Sequence, residues 1–125
     1  TIKRLNQITE QLKPNLVYLP SFTDNHPDHL QTNHIFKDAH TPSFWVAAYE
    51  VWTPHIPNRI VDVSQEISQK MDAMKAHTSQ LKTLSYHEGI LGLNKYRAAL
   101  YPKVSMDYAE SFLFAKKEIY CRLIL

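Results

Sequence analysis

Short unbroken apolar runs, each shut off by proline or a polar turn, alternate along this chain with stretches whose apolar residues recur at helical spacing. Few folds accommodate that order. Ile2, Leu5, Ile8 and Leu12 mark an amphipathic helix that ends at Pro14 and Asn15, because proline has no N–H to continue the hydrogen-bond ladder. Leu16 to Leu19, closed by Pro20, reads as a strand buried on both faces. A weaker helix is expected from about His29 to Ala39, before Pro42. Phe44 to Trp52 is the best strand, aromatic and β-branched with only Glu50 interrupting, and Pro54 and Pro57 break it.

Ile60 to Val63 forms another short strand, after which Ser64 is a natural N-cap for a long helix carrying Ile67, Met71, Met74 and Leu81 along one face. Ser85 to about Leu100 reads as a further amphipathic helix. Tyr108 to Ala115 is a strand or the start of a helix, which periodicity alone does not decide. The expectation is an α/β fold, layered and with a mainly parallel sheet. With 125 residues the chain is one domain or part of one.

Composition removes several functions. The two glycines, Gly89 and Gly92, make no spaced loop, so neither a dinucleotide fingerprint nor a P-loop can be built. A net charge of +2, from 14 Lys and Arg against 12 Asp and Glu, is too balanced for a nucleic-acid partner. No apolar run approaches the roughly 20 residues that cross a bilayer, so no transmembrane segment is expected. The single cysteine, Cys121, excludes an internal disulfide and a Cys-rich zinc site, and either points to a reducing compartment or leaves that question open; a cytoplasmic location is the expectation.

Seven histidines in this length suggest metal or acid–base chemistry. Asp24-Asn25-His26-Pro27-Asp28-His29 gathers two imidazoles and two carboxylates just beyond the carboxyl end of a predicted strand, which is where open α/β sheets bind ligands. Neutral imidazole is a common ligand of catalytic metals, and a neighbouring carboxylate can hold its far nitrogen. A catalytic zinc takes three protein ligands, so His26 and His29 alone do not complete a site. The plainer reading has Asp28 capping the next helix, Pro27 fixing the turn and both histidines solvated. His29 and His34 lack the four-residue spacing of a zincin pair. His40, His55, His77 and His87 are scattered and read as surface or hydrogen-bonded residues. Trp45, Trp52 and the tyrosines can stack on sugars, yet most are expected in the core.

The stretch from Lys13 to His34, with its His-Pro-Asp-His at 26–29, resembles the second metal motif of the LmbE-like, or PIG-L, family of zinc-dependent N-acetylglucosaminyl deacetylases. The resemblance continues through Tyr49 to Trp52, Pro57 to Ser64, Lys70 through Gln80, and Tyr108 to Phe112. It implies a Rossmann-like fold and hydrolysis of the acetamide of an amino-sugar glycoconjugate by a metal-activated water. It implies His29 as a ligand of Zn2+ or another divalent metal, and His26 as the group that stabilises the oxyanion or protonates the leaving amine. Asp28 is implied as the carboxylate that orients and charges histidine.

The family's first motif, an Ala-His-Pro-Asp-Asp-Glu-like segment with the remaining ligands and the general base, has no counterpart here. Residues 1–125, opening at Thr1, are therefore expected to be the carboxyl-terminal portion of a single such domain, inactive alone. A catalytically silent binding module that keeps the fold is the alternative, and a two-metal phosphoesterase ranks last. Asp62 and Ser64 are expected to cap or make a turn, His77, Ser79 and Gln80 either to contact the missing half or to make local hydrogen bonds, and Glu110 to need a partner if buried. Half a domain would expose an apolar face and self-associate into a homo-oligomer.

Overall fold

A computed structural model describes residues 1–81, 85–102 and 104–125, the side chain of Gln80 lying outside the description. The chain divides into two compact units, residues 1–59 with 112–125, and residues 60–111.

The first unit opens with α1 (Ile2–Leu12). Lys13 ends it in the left-handed conformation, φ 45°, its N–H bonded to the Thr9 carbonyl, and Pro14 prevents resumption. β1 (Leu16–Pro20) and β2 (Trp45–Tyr49) pair in parallel, Leu16 opposite Trp45 and Pro20 opposite Tyr49. Between them runs α2 (Pro27–Asp38), which makes β1-α2-β2 a crossover unit. One sheet face is packed, with Leu19, Val46 and Ala48 joining Phe36, Phe44, Tyr120 and Ile124 in a buried cluster. Tyr120 and the adjoining Ile124 are brought there by α6 (Lys117–Leu123). Each such side chain contributes about 1.5–3 kcal/mol on burial.

β3 (Arg59–Asp62) and β4 (Ala109–Lys116) pass from one unit into the other. Among the described residues the strands form one sheet in the order β1-β2-β4-β3. The mainly parallel sheet expected from the alternation is corrected here. β4 runs antiparallel to β2, Trp45 opposite Lys116 and Tyr49 opposite Phe112. The bonds Asn58 N–H to Phe112 O and Val63 N–H to Tyr108 O descend in the same antiparallel sense beside β3. An intervening helix permits a parallel crossover without compelling one, and residues 50–58 between β2 and β3 hold no helix at all.

Three further differences have local causes. β1 is packed on one face and not on both: Leu19 faces the buried cluster while Leu16 and Tyr18 stay exposed on the other, and Tyr18 meets Phe112 edge-on at 5.9 Å. β2 is shorter than the expected strand because the chain leaves the ladder after Tyr49. The tryptophans are not core residues, Trp45 being 39% and Trp52 38% exposed, whereas Tyr120 is wholly buried.

The second unit contains α3 (Ile67–Lys75), α4 (Thr78–Leu81) and α5 (Tyr86–Ala99). The expected long helix is two, broken at Ala76 and His77. Ser64 does not cap it, Glu66 being the N-cap. The Ser64 hydroxyl donates to Asp62 and accepts from the Asp107 and Tyr108 N–H groups, a clasp between strand ends. Glu110 has its partner in Lys70, which also reaches Asn94 at 2.9 Å, while Asn94 donates to the Ala109 carbonyl. Among the described residues no helix is long and apolar enough to cross a membrane.

Candidate functional site

β1 delivers its chain into a turn at Ser21 to Asp24 that the protein's own hydrogen bonds hold in place. The Ser21 N–H extends the ladder to Tyr49 O, and the Asp24 N–H closes back on Ser21 O. Asn33, buried in α2, donates to Pro20 O, while its carbonyl accepts the Tyr120 hydroxyl at 2.7 Å. That hydroxyl in turn accepts the Phe22 N–H. The strand end is thus gripped from α2 and α6 at once.

Asp24 is the hub of the loop. Its side chain is fully buried. One carboxylate oxygen accepts the His26 N–H at 3.0 Å and the His29 Nδ1–H at 3.0 Å. The other accepts the Trp52 N–H at 2.7 Å and the Thr53 N–H at 3.2 Å. Burial alone would raise this carboxyl, but the bonds from His26, Trp52, His29 and Thr53 outweigh it and hold the group below the ordinary range. Capture of two successive N–H groups by this carboxylate also explains why the chain leaves β2 before Trp52. Asn25 N–H to Thr53 Oγ1 adds a further tie between the two loops.

His26 is the N-cap of α2, its Nδ1 accepting the Asp28 N–H at 3.2 Å, with Pro27 at the first helical position. A cap acceptor carries no proton, so the Nε2 of His26 is the N–H donor. Its ring lies 4.7 Å from that of His29 and is stacked at 18° with Trp52, 6.1 Å between centroids. The Asp28 carboxylate is in solvent, 91% exposed and 4.0 Å from His26 Nδ1, so the structure places it beside the imidazole without a close bond. As an acid in the first turn it suits the positive end of the helix. His29 donates through Nδ1 to Asp24, which leaves its Nε2 without a proton and able to accept, an arrangement also found in carboxylate–histidine–metal sites.

His34, His40 and His77 are exposed and lie outside this loop, His87 is half-buried, and His55 is buried with its N–H donating to Glu50. The zinc implied by the resemblance does not find a full set of ligands among the described residues. Among the described residues no group of three or more His, Cys, Asp or Glu side chains can hold a metal ion. Asp24 is the anchor of the candidate site, a role that sequence reading did not assign to it. Its signal was present, since an Asp two residues before the His26 N–H is an Asx turn. Nothing local in the sequence announces the Trp52 and Thr53 donors.

Fold and loop together define an α/β protein whose reactive groups sit beyond the carboxyl ends of a parallel strand pair. No protein-family model matches the chain. Solved structures do. The conserved protein TT1542 from Thermus thermophilus matches with a TM-score of 0.63 at 25% identity, over 88% of this chain and 55% of its own. The 4-carboxy-2-hydroxymuconate hydratase GalB from Pseudomonas putida KT2440 matches at 0.67 and 18%, over 91% of this chain and 57% of its own. The N,N'-diacetylchitobiose deacetylase from Pyrococcus horikoshii, complexed with its inhibitor MPG, matches at 0.66 and 22%, over 95% and 52%. The chain therefore spans little more than half the length of these structures and shares a fold that occurs in a deacetylase. A hydratase shares it too, so the fold by itself does not select the reaction.

Proposed function

We propose that this chain is the carboxyl-terminal portion of a zinc-dependent de-N-acetylase of the LmbE-like, or PIG-L, type. Its substrate class is an N-acetylglucosamine-containing glycoconjugate. The observation that carries the reading is His29, held through Nδ1 by a buried carboxylate with Nε2 left to ligate. His29 would hold the ion together with ligands from outside residues 1–125. When bound, zinc supplies Lewis acidity toward the acetyl carbonyl and lowers the pKa of a water.

The chain's own groups do the rest. His26 offers its Nε2–H as a hydrogen-bond donor to negative charge developing on the carbonyl oxygen. Asp24 holds His29 in one tautomer and keeps the loops after β1 and β2 in register. Asp28 charges the helix start and weakly orients His26. The hydratase likeness argues for testing the metal chemistry directly.

The test is a zinc titration of the longer protein that carries the remaining ligands, labelled with 15N-histidine and followed by long-range imidazole spectra. His29 Nε2 is expected to respond, and His29→Gln to abolish the response. Acetate release from N-acetylglucosamine conjugates is expected only from a longer protein carrying the remaining ligands. No response at His29, or full turnover by residues 1–125 alone, would overturn the reading. The alternative is a catalytically silent module that keeps the fold. It prevails if the preceding coding sequence lacks a His-Pro-Asp-Asp pattern.

A further inference from the structure

We infer that Trp52 is a positioning residue for His26, fixing the direction of its Nε2–H through ring stacking; this rests on the reading of His26 as the donor to the reacting acetamide. The bond from the Asp28 N–H to Nδ1 constrains His26 at one point only. A single bond in the plane of an imidazole leaves the ring free to tilt about that contact. A second restraint, normal to the plane, is needed before Nε2 has a direction. The stacked Trp52 indole supplies it, at 18° between planes and 6.1 Å between centroids. The tilted His29 ring, 4.7 Å away, adds to it.

Both neighbouring rings are carried by the same anchor. Trp52 is fastened to Asp24 through its backbone N–H at 2.7 Å, and His29 through its ring at 3.0 Å. The His26 backbone N–H is bonded to the same carboxylate. One buried acid therefore sets the relative placement of three rings, His26 and Trp52 from two separate loops and His29 from the first turn of α2. The position of Trp52 fits this work better than a packing role. It lies 38% exposed, outside the hydrophobic cluster of Leu19, Phe36, Phe44, Val46 and Tyr120, where an indole filling the core would be hidden from water.

The experiment uses the metal-free chain and needs neither substrate nor turnover. Imidazole and amide spectra are compared for the parent protein, Trp52→Leu and Trp52→Phe. In Trp52→Leu the ring protons of His26 are expected to lose their ring-current shift, the Asp28 amide to move, and the tautomer signal of His26 to become mixed. His29 and the Thr53 amide are expected to stay, because their bonds to Asp24 do not need the indole. Trp52→Phe should restore His26. The inference is overturned if His26 is unchanged in Trp52→Leu, or if His29 and Thr53 move as far as His26 in both variants. Should Trp52→Leu not fold, the parent protein decides, since cross-relaxation between the Trp52 indole and His26 ring protons must be seen. Failure of the zinc titration at His29 would instead remove the deacetylase reading while these spectra stood.

Discussion

Replacing Asp24 with asparagine is the sharpest perturbation of this molecule. The carboxylate accepts four hydrogen bonds, two on each oxygen, from His26, His29, Trp52 and Thr53. Asparagine is nearly the same size but keeps one acceptor oxygen and turns the other into a donor. One pair of N–H groups is then left facing an NH2. At about 1.5 kcal/mol for each bond to a charged acceptor, losing two costs about 3 kcal/mol. That is a large share of the roughly 5–15 kcal/mol that stabilises a typical domain.

Chemistry is affected as well as stability. If the new NH2 faces His29, its Nδ1 becomes an acceptor, the proton moves to Nε2, and the ligating atom is blocked. The assay is urea unfolding followed by amide intensities of α2 and β2, combined with imidazole spectra of the folded protein. A midpoint shift equivalent to about 3 kcal/mol and a changed His29 or Trp52 signal are expected. A loss under about 0.5 kcal/mol, the range of an ordinary surface change, with His29 undisturbed would refute the assignment of Asp24 as the anchor.

Buried hydrogen bonds elsewhere in the chain make comparable tests. Burial raises the pKa of the Tyr120 hydroxyl, so its contribution to stability is complete below the ordinary tyrosine value of 10.0 and is lost as pH rises toward the native-state value. Tyr120→Phe, which strands the Phe22 N–H and Asn33 Oδ1, is expected to cost about 1–2 kcal/mol at neutral pH and to flatten the alkaline loss. The pH dependence of the urea midpoint, with tyrosinate absorbance, checks both. In the second unit, Asn94→Ala removes a buried donor to Ala109 and is expected to cost about 2 kcal/mol. Glu110→Gln breaks a partly exposed pair with Lys70 and is expected to cost about 0.5 kcal/mol; the reverse order in denaturation would contradict the burial argument.

Much of the local structure was legible. Pro14, Pro20 and Pro27 bound elements where a missing N–H or a fixed φ demands a boundary, and α1, α2 and α5 lie within a few residues of the expected helices. The stretch from Asp24 to His29 was legible as a candidate site because strand ends in α/β sheets gather ligand groups. The capping role expected of Asp28 belongs instead to His26. That was hard to anticipate, because an imidazole acts as a cap only when its Nδ1 is unprotonated and turned toward the helix. α6 lies in the short stretch after β4 where no helix was expected.

What the sequence determined by itself is local: the approximate bounds of α1, α2 and α5, the strands β1, β2 and β3, and the clustering of His26, Asp28 and His29 at one strand end. Those outcomes depend on interactions between residues a few positions apart. Tertiary structure decided the direction of β4, the exposure of Tyr18 and Trp45, and the role of Asp24. The donors on Trp52 and Thr53 lie far along the chain from that carboxylate, and only the parallel pairing of β1 with β2 carries them to it. Long-range pairing leaves no mark in any short window, since a buried acid looks the same in sequence whether or not its partners arrive.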